Sequence, residues 1–403
     1  MKKLVADRML RAELPEYSDV GLPSQAEGEA RISKVRQEVK DFISLSVADS
    51  KVMLPPKHVV EAVKKAMETP ANVYCPHTGD PQVRKTVAEF LKEFKGIDAD
   101  PDTEIVVTPG TQMGIFGTFV SMIDPGDEVL LVDPDYSCVE PPARYVDAKV
   151  IPVPLKKNNG GYLFDYEALR GCVSKNTKLL VFSNPNNPAG ILYSKQDLAG
   201  IADLANDYDF YVLADELYNR LIYDNAPHYS LTTFPGMNER TITLMGISKT
   251  ESMQGFRTGF VYARKEIAQR ISELVRYAVQ RAPYYAQKAM ETVLQEPKKH
   301  AEERVRIHQE KRDIIVRGLS KATGIKCQKP QGTSYVFPDI SKLGMGSQEF
   351  SEQLLRLGKI YVPAGYHFGR NGEGHVRICF ACSNQRLEDS AKTIATVAQK
   401  VRK

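Results

Sequence analysis

Short runs rich in β-branched residues alternate with longer amphipathic stretches between about residue 104 and residue 264. In chain order the runs are EIVVT, DEVLLVD, AKVIPVP, KLLVFS, FYVLAD, TITLMG and GFVYAR. Several are separated by stretches with helical periodicity, such as residues 194–208. Because parallel strands must be joined by long crossover connections, usually helices, this alternation predicts an α/β protein with a largely parallel sheet covered by helices.

The pattern changes near residue 264. Helical periodicity then runs to about residue 323, with breaks expected at Pro283 and Pro297. The strand-like runs SYVFPDI, KIYVPA and HVRICFA follow, and a last helix is expected from Leu387. This order of elements predicts a second, smaller α+β domain.

We expect three parts along the chain, because 403 residues are too many for one small core. Residues 1–50 are charged and irregular apart from the strand-like DFISLSVAD, and we interpret them as an N-terminal arm that joins the small domain. Residues 51–290 would form the large domain, and residues 291–403 the small C-terminal domain.

Composition argues against several classes of protein. The chain has 54 basic and 50 acidic residues, so its net charge of +4 gives no reason to expect nucleic acid or an acidic membrane as a partner. The apolar runs are strand-sized, and the charged N-terminus lacks an apolar signal core, which favours a cytoplasmic protein. The histidines form no HExxH motif, and the CxxC of Cys379 and Cys382 has no second pair, so we expect no metal site.

Four loops after predicted strands contain residues that can carry chemistry. In an open parallel sheet, ligands bind beyond the carboxyl ends of the strands, so a site is expected in these loops. They are TPGTQMG (108–114), SNPNNPAG (183–190), FYVLADELY (210–218) and GISKTESMQGFRTGF (246–260).

Each loop has a functional and a plainer interpretation. Around Gly110, free N–H groups at a helix N-terminus would suit a phosphate, or the glycine only makes a tight turn. The two Asn-Pro steps of SNPNNPAG could aim a side chain, or form an ordinary turn. Burying the Asp215 carboxylate costs free energy unless it is paired, which favours a functional role; the plainer interpretation is that Asp215 caps a helix. Lys249 could form a Schiff base and Arg257 could hold a phosphate, or both are solvated.

Taken together, these groups match one ligand, pyridoxal 5'-phosphate (PLP). PLP needs a lysine that forms an imine, an acid at its pyridine nitrogen and donors at its phosphate. The loops supply all three within one domain. A nucleotide site is not expected, because no GxGxxG or GxxxxGK[ST] motif occurs.

From about residue 42 to the C-terminus the chain resembles the class I/II aminotransferases of fold type I, the aspartate aminotransferase-like superfamily. GISKTESMQGFRTGF resembles the lysine signature of that family, and SNPNNPAG resembles its NPxNPTG loop. Three further blocks also resemble family signatures: YCPHTGDPQVRKTVAEF, QGTSYVFPDI and HVRICFA. The resemblance implies a large domain with a mostly parallel seven-stranded sheet sandwiched by helices, plus a smaller α+β domain.

The resemblance also implies roles at the PLP ring. Lys249 would hold the cofactor as a Schiff base, and Asp215 would pair with the pyridine nitrogen. Tyr218 and Asn187 would bond the phenolic oxygen, and Tyr136 would stack on the ring. Lys249, Asp215 and Tyr218 are therefore the predicted catalytic residues.

At the phosphate, the resemblance implies backbone or side-chain donors from two of the loops. These are Gly110, Thr111, Gln112, Ser248 and Arg257.

Further residues would bind the substrate or cross between subunits. Arg377 would grip the substrate carboxylate beside Asn187, and Ser46, where many relatives have glycine, would line the substrate pocket. Tyr74 would reach the phosphate of the partner subunit in a homodimer with shared active sites. Arg276 and Arg281 lie where some members carry an arginine for a side-chain carboxylate, and the choice between them stays open.

The implied reaction moves an amino group from an L-amino acid to a 2-oxo acid by a ping-pong mechanism through the Lys249 Schiff base. The alternative is a PLP-dependent lyase or decarboxylase on the same fold, because the motifs identify the cofactor better than the outcome. A PLP-binding transcription regulator would need an added DNA-binding domain, for which the N-terminal arm is too short.

Overall fold

A computed structural model of the chain describes residues 5–12, 17, 21–49, 51–68 and 74–402. Parts of the predicted N-terminal arm, and the residues directly before Tyr74, lie outside these ranges.

The described elements are as follows. The helices are α1 (Asp7–Arg11), α2 (Gln25–Glu38), α3 (Lys57–Glu68), α4 (Pro81–Lys95), α5 (Thr111–Met122), α6 (Glu140–Tyr145), α7 (Tyr166–Cys172), α8 (Lys195–Tyr208), α9 (Lys265–Ala278), α10 (Tyr284–Leu294), α11 (Lys298–Leu319), α12 (Ser347–Gly358) and α13 (Asn384–Val401). The strands are β1 (Ile43–Ser44), β2 (Ile105–Thr108), β3 (Glu128–Asp133), β4 (Lys149–Pro154), β5 (Lys156–Asn158), β6 (Gly161–Leu163), β7 (Thr177–Ser183), β8 (Tyr211–Asp215), β9 (Thr241–Gly246), β10 (Gly259–Tyr262), β11 (Tyr335–Val336), β12 (Ile360–Tyr361) and β13 (Ile378–Cys379).

The large sheet has seven strands in the order β2-β10-β9-β8-β7-β3-β4. Strand β10 is antiparallel to both of its neighbours, and the adjacent pairs from β9 to β4 are parallel. The predicted α/β class with a mostly parallel seven-stranded sheet is therefore confirmed.

Helices bury both faces of this sheet. Along β3, Val129 and Leu131 pack into a core with α5 and α9, whereas Leu130 and Val132 pack into a core with α8. Successive side chains of a strand point to opposite faces, so the two cores lie on opposite sides. Burial on both sides explains why these strands read as continuous apolar runs in the sequence.

All strands of the large sheet except β10 have their carboxyl ends at one edge, and five of these ends concern the site. Strand β2 runs parallel to β9, because both are antiparallel to β10. The last residues of β2, β3, β7, β8 and β9 thus lie along the same edge: Thr108, Asp133, Ser183, Asp215 and Gly246. The four loops singled out in the sequence start there.

The C-terminal region forms a smaller α+β unit. Strands β1 and β12 pair in parallel, and β11 and β13 pair antiparallel. Side chains of α11, α12 and α13, among them Ile315, Phe350 and Leu387, form its core. Helix α2 packs on α12 through Ile32 and Leu355. The three-part division at residues 50 and 290 stays a prediction.

Two elements correct the sequence interpretation. Residues 1–50 were expected to be irregular, yet α2 begins with a capping box in which Ser24 and Glu27 bond each other's backbone N–H. Its buried stripe is thin, so helical periodicity did not reveal it. The hairpin of β5 and β6 was also missed, although Asn159 and Gly160 have the positive φ angles that an Asn-Gly turn favours.

The helix breaks expected at Pro283 and Pro297 agree with the structure. Helix α4 ends at Gly96, which is left-handed, and α10 and α11 each begin directly after a proline, Pro283 and Pro297. All six cysteines are free. Within the described ranges, no helix is long and apolar enough to cross a bilayer.

Candidate active site

A cavity of about 320 Å³ lies at the carboxyl edge of the sheet. The loops after β2, β3, β7, β8 and β9 build its wall. The structure brings together most of the predicted cofactor residues there, namely Thr111, Gln112, Tyr136, Asn187, Asp215, Tyr218, Ser248, Lys249 and Arg257.

Asp215 is a buried carboxylate at the wall of this cavity. It accepts a hydrogen bond from the backbone N–H of Leu217 at 3.0 Å, and no ion pair is found for it in the described part of the chain. Burial raises its pKa to about 6, although the Leu217 bond and the charge of Lys249 act in the opposite direction. A buried acid with spare acceptor capacity fits a protonated ring nitrogen.

Lys249 and Tyr218 flank the same space. The Lys249 Nζ lies 6.0 Å from the centre of the Tyr218 ring. The Tyr218 hydroxyl is buried and has no hydrogen-bond partner among the described residues. A buried hydroxyl is costly without a partner, so a ligand oxygen at this place would satisfy it.

Arg377 lies beside Asn187, and two hydrogen bonds hold its guanidinium group in place. Its Nη1 donates to the Asn187 Oδ1 at 3.1 Å, and its Nη2 donates to the Ser46 carbonyl at 3.0 Å. The rings of Tyr335 and Phe368 lie 4.2 and 4.3 Å from the guanidinium carbon. Ser46 therefore contributes its backbone to this arrangement, while its hydroxyl bonds Ser44 at 2.8 Å.

The opposite end of the cavity suits an anion. Gly110 precedes α5 with a φ of 75°, and a Cβ atom there would lie 2.4 Å from the Arg257 Nη2. Only glycine allows the guanidinium so close to the helix N-terminus. Ser248 is buried nearby in the same wall. The helix N-terminus and the arginine together offer the donors that a phosphate needs.

Tyr136 and Gln112 form another part of the wall. The Tyr136 hydroxyl donates to the Gln112 Oε1 at 3.3 Å, and the Gln112 Nε2 donates to the Cys138 carbonyl at 3.4 Å. This hydrogen bond holds the Tyr136 hydroxyl in place at the cavity wall.

Tyr74 is not brought to this cavity. It is 81% exposed, and the Arg281 guanidinium lies 4.3 Å from its ring. Arg281 also donates to the Cys75 carbonyl. The Arg276 guanidinium carbon lies 6.0 Å from the centre of the Tyr277 ring, and Tyr277 is 78% exposed. Neither arginine lines the cavity of its own chain.

Sequence reasoning missed Asp135, which organises the loop that presents Asn187. Its carboxylate accepts from the Ser183 N–H at 2.9 Å, from the Asn186 Nδ2 at 3.0 Å and from the Ser183 hydroxyl. The same hydroxyl accepts from the Asn187 N–H at 3.1 Å. Burial raises the pKa of Asp135 to about 7. The signal was available, because the DPDY run places this acid directly after an apolar strand.

The sequence analysis also missed a buried cluster at Glu216, the residue that follows Asp215. The Lys95 Nζ is 3.3 Å from a Glu216 carboxylate oxygen, and both side chains are almost fully buried. His228 accepts from Lys95 through Nδ1 at 2.6 Å and donates through Nε2 to the Asn184 carbonyl at 3.1 Å. Burial lowers the pKa of His228 to about 4, so the ring is neutral. The cluster joins the residue after Asp215 to the loop that contains the cis Asn184–Pro185 bond.

Comparisons with known proteins decide the family. The profile described as "Aminotransferase class I and II" matches residues 40–394. The chain belongs to this family. It is a PLP-dependent aminotransferase, and the lyase or decarboxylase alternative is not favoured.

Similar proteins cover almost the whole aminotransferase chain. An aspartate aminotransferase of Pyrococcus horikoshii is 36% identical, over 90% of this chain and 93% of its own. An aromatic-amino-acid aminotransferase 2 of Thermococcus litoralis is 32% identical, over 89% and 92%. The solved alanine aminotransferase from Pyrococcus furiosus superposes with a TM-score of 0.88 at 27% identity, covering 98% of this chain and 100% of that one.

The residues of the cavity fit PLP. The buried Tyr218 hydroxyl, which has no hydrogen-bond partner in the described part of the chain, suits the phenolic oxygen of that cofactor. The buried Asp215 suits the ring nitrogen, and the anion end at Gly110 and Arg257 suits the phosphate. Lys249 lies in the same wall.

Asp215→Asn should stabilise the cofactor-free aminotransferase at neutral pH. The carboxyl group has a pKa of about 6 in the folded chain against 3.8 in ordinary surroundings, so the folded state holds its proton more tightly. Stability from this proton is complete below a pH of about 4 and is lost as the pH rises through about 6, by up to roughly 3 kcal/mol. An amide cannot ionise and avoids this loss.

Urea unfolding of the two apoenzymes across pH 4 to pH 7.5 measures the effect. The free energy of unfolding of the variant should increase relative to that of the wild type as the pH rises. Added PLP should reduce the difference between the two proteins. Asp98→Asn is the matched control, because Asp98 is 87% exposed. Parallel pH profiles for wild type and Asp215→Asn would show that this carboxylate is not destabilising.

Proposed function

We propose that this enzyme moves the α-amino group of an L-amino acid to a 2-oxo acid at the cavity containing Lys249, in a homodimer whose active sites take residues from both chains. The observation that carries the proposal is the convergence of Lys249, the buried Asp215 and the buried Tyr218 hydroxyl within one cavity wall. Arg377 is connected to this wall through its hydrogen bond to Asn187.

PLP, when bound, supplies a carbonyl for the substrate amine and a ring that accepts the electrons released when a bond at Cα breaks. Lys249 would form the covalent link to the cofactor in the resting enzyme. Its freed amine would take up the Cα proton of the bound amino acid and release it again within the site.

Asp215 would hold the proton on the ring nitrogen. In the chain alone its carboxylate has one backbone donor and a raised pKa, so a cation placed against it would favour the ionised form. Tyr218 and Asn187 would donate to the phenolic oxygen, and the Asp135 contacts would keep Asn187 in place.

Donors at the other end would anchor the phosphate. We assign this role to the backbone at Gly110, to Thr111 and Ser248, and to Arg257. Tyr136, bonded to Gln112, would cover the ring face. These contacts would hold the cofactor at both ends within the cavity that Lys249 also lines.

The amino donor is the first matter to test. Relatives are named for aspartate, aromatic amino acids and alanine, so these three donors form the screen. Each active donor, without an acceptor, should give one equivalent of 2-oxo acid per site and then stop, and a 2-oxo acid should restart turnover. Continuous release of ammonia without an acceptor would contradict transamination.

Arg377 would bind the substrate carboxylate, because a planar fork between two rings presents paired N–H donors. Arg377→Lys should raise KM for both the amino acid and the 2-oxo acid at least about tenfold, which is roughly 1.4 kcal/mol. The PLP absorption spectrum should stay unchanged. Arg356→Lys is the control, since Arg356 is a surface residue paired with Glu38. Unchanged KM values would point to another carboxylate anchor.

Tyr74 supports the dimer, because it is exposed and outside the cavity of its own chain although it matches a family tyrosine. Two-fold dimers are the commonest closed oligomers of this kind. If Tyr74 crosses to the partner, the adjacent Arg281 would cross with it and could face a side-chain carboxylate. The cytoplasmic location stays a prediction.

Complementation tests the shared site. Lys249→Ala and Tyr74→Ala should each disable the enzyme, but co-expression should restore about a quarter of the sites, because half of randomly paired dimers are hybrids with one intact site. If both residues serve the same chain, every hybrid site lacks one of them and activity stays at the level of the single variants. A monomer by light scattering would also remove Tyr74 from the site.

A further inference from the structure

Two histidines and a glutamate converge at a place apart from the PLP cavity. His58 lies in the first turn of α3, Glu296 lies between α10 and α11, and His300 lies in the first turn of α11. The His58 Nε2 is 3.3 Å and the His300 Nδ1 is 3.8 Å from the same Glu296 oxygen, Oε2. One nitrogen or oxygen atom from each residue lies within 4.8 Å of the others.

We propose that a divalent transition-metal ion of the zinc type binds between His58, Glu296 and His300. Imidazole nitrogens and a carboxylate oxygen are ordinary zinc ligands, and three of them leave a fourth position for water. With metal–ligand distances of about 2.0–2.2 Å, the ligand atoms of a tetrahedral site lie roughly 3.3 Å apart. The two distances to Oε2 are close to that value, and both imidazoles are about 40% exposed and able to adjust.

The surroundings fix Glu296 and leave one side of it open. Arg304 bonds both of its oxygens, and the Arg220 Nη2 donates to Oε1 at 3.1 Å. These contacts use three of about four lone-pair positions on a carboxylate. The remaining position is on Oε2, the atom that both histidines approach.

Two arginines beside a metal ion would repel it if they were not neutralised. Glu251, which is fully buried, lies 3.1 Å from Arg220 and 3.6 Å from Arg304. Glu251 and Glu296 thus balance the two guanidinium charges. An ion entering between the histidines therefore meets a cluster with no net charge, and the nearby cations limit its affinity without excluding it.

His300 supplies a second observation that points to a ligand. Its Nδ1 atom is buried and has no hydrogen-bond partner among the described residues. The His58 and His300 rings are 5.4 Å apart and tilted by 43°, so they do not stack face to face. A metal ion would give the buried nitrogen a partner and explain why two imidazoles approach one oxygen.

Occupancy would join α3 to the α10–α11 junction. It would stabilise the folded chain by mass action, independently of turnover. The competing explanation is that protons alone charge the histidines, which then pair with Glu296. The two differ in pH dependence: metal binding needs neutral imidazoles and strengthens as the pH rises, whereas proton-driven pairing fades.

Zinc binding to the chelator-treated holoenzyme tests the proposal. Calorimetry should find one Zn²⁺ per chain, with affinity rising from pH 6 to pH 7.5, and Zn²⁺ should raise Tm. His58→Asn and His300→Asn should each weaken binding at least tenfold, and the double variant should abolish it. The two histidines are replaced because neither pairs with Arg220 or Arg304. Replacing Glu296 would leave both arginines without that partner. Glu302→Gln, on the surface of α11, is the matched control and should bind as the wild type does.

Crystals soaked in Zn²⁺ and measured at the zinc edge should show the ion between the three residues. The proposal is wrong if no ion binds, if binding survives the double histidine variant, or if the ion lies on cysteines instead. None of these outcomes depends on aminotransferase activity, so failure here leaves the proposed function untouched.

Discussion

Burial of carboxylates at the carboxyl edge of the parallel sheet is the constraint on which the active site depends. A charge removed from water must be compensated or must give up its ionised form. Asp135 is compensated by donors from the Ser183–Asn187 loop, and this holds the loop in place. Asp215 has one backbone donor and stays open toward the cavity. The difference in compensation separates an acid that holds structure from one that is free to meet a ligand.

The same edge also attaches the smaller unit to the sheet. Asp133, at the end of β3, accepts from the backbone N–H of Asn371 at 3.1 Å, and the Asp135 N–H donates to the Phe368 carbonyl at 2.9 Å. Phe368 in turn covers Arg377. Arg377, the proposed anchor for the substrate carboxylate, is therefore connected through Phe368 to the loop after β3 that also contains Tyr136.

The sequence allowed the large sheet to be predicted because both of its faces are buried, which leaves uninterrupted apolar runs. Loops after those runs could be nominated because parallel strands end at one edge. Individual roles, such as the one proposed for Arg377, came only from family resemblance, since a single arginine beside a short strand has no local signal. Lys95 and His228 could not be predicted, because their partners come from distant segments and neither lies in a motif. Helix α2 was not predicted for a different reason: too few of its residues are buried to give a clear apolar periodicity.

Uncompensated polar groups carry information that ion pairs do not. Arg312 is fully buried, yet Asp224 and Asp313 bond its guanidinium, and nothing further is required of it. Within the described ranges, the Tyr218 hydroxyl and the Arg377 Nε are buried without a hydrogen-bond partner, and both belong to the proposed cofactor and substrate sites. Outside the cavity, the His300 Nδ1 is likewise buried and has no hydrogen-bond partner among the described residues. An unsatisfied buried group costs about 1–3 kcal/mol, so a ligand that supplied the missing hydrogen-bond partner would be favoured at each of these three places. That reasoning connects the PLP cavity to the proposed metal site.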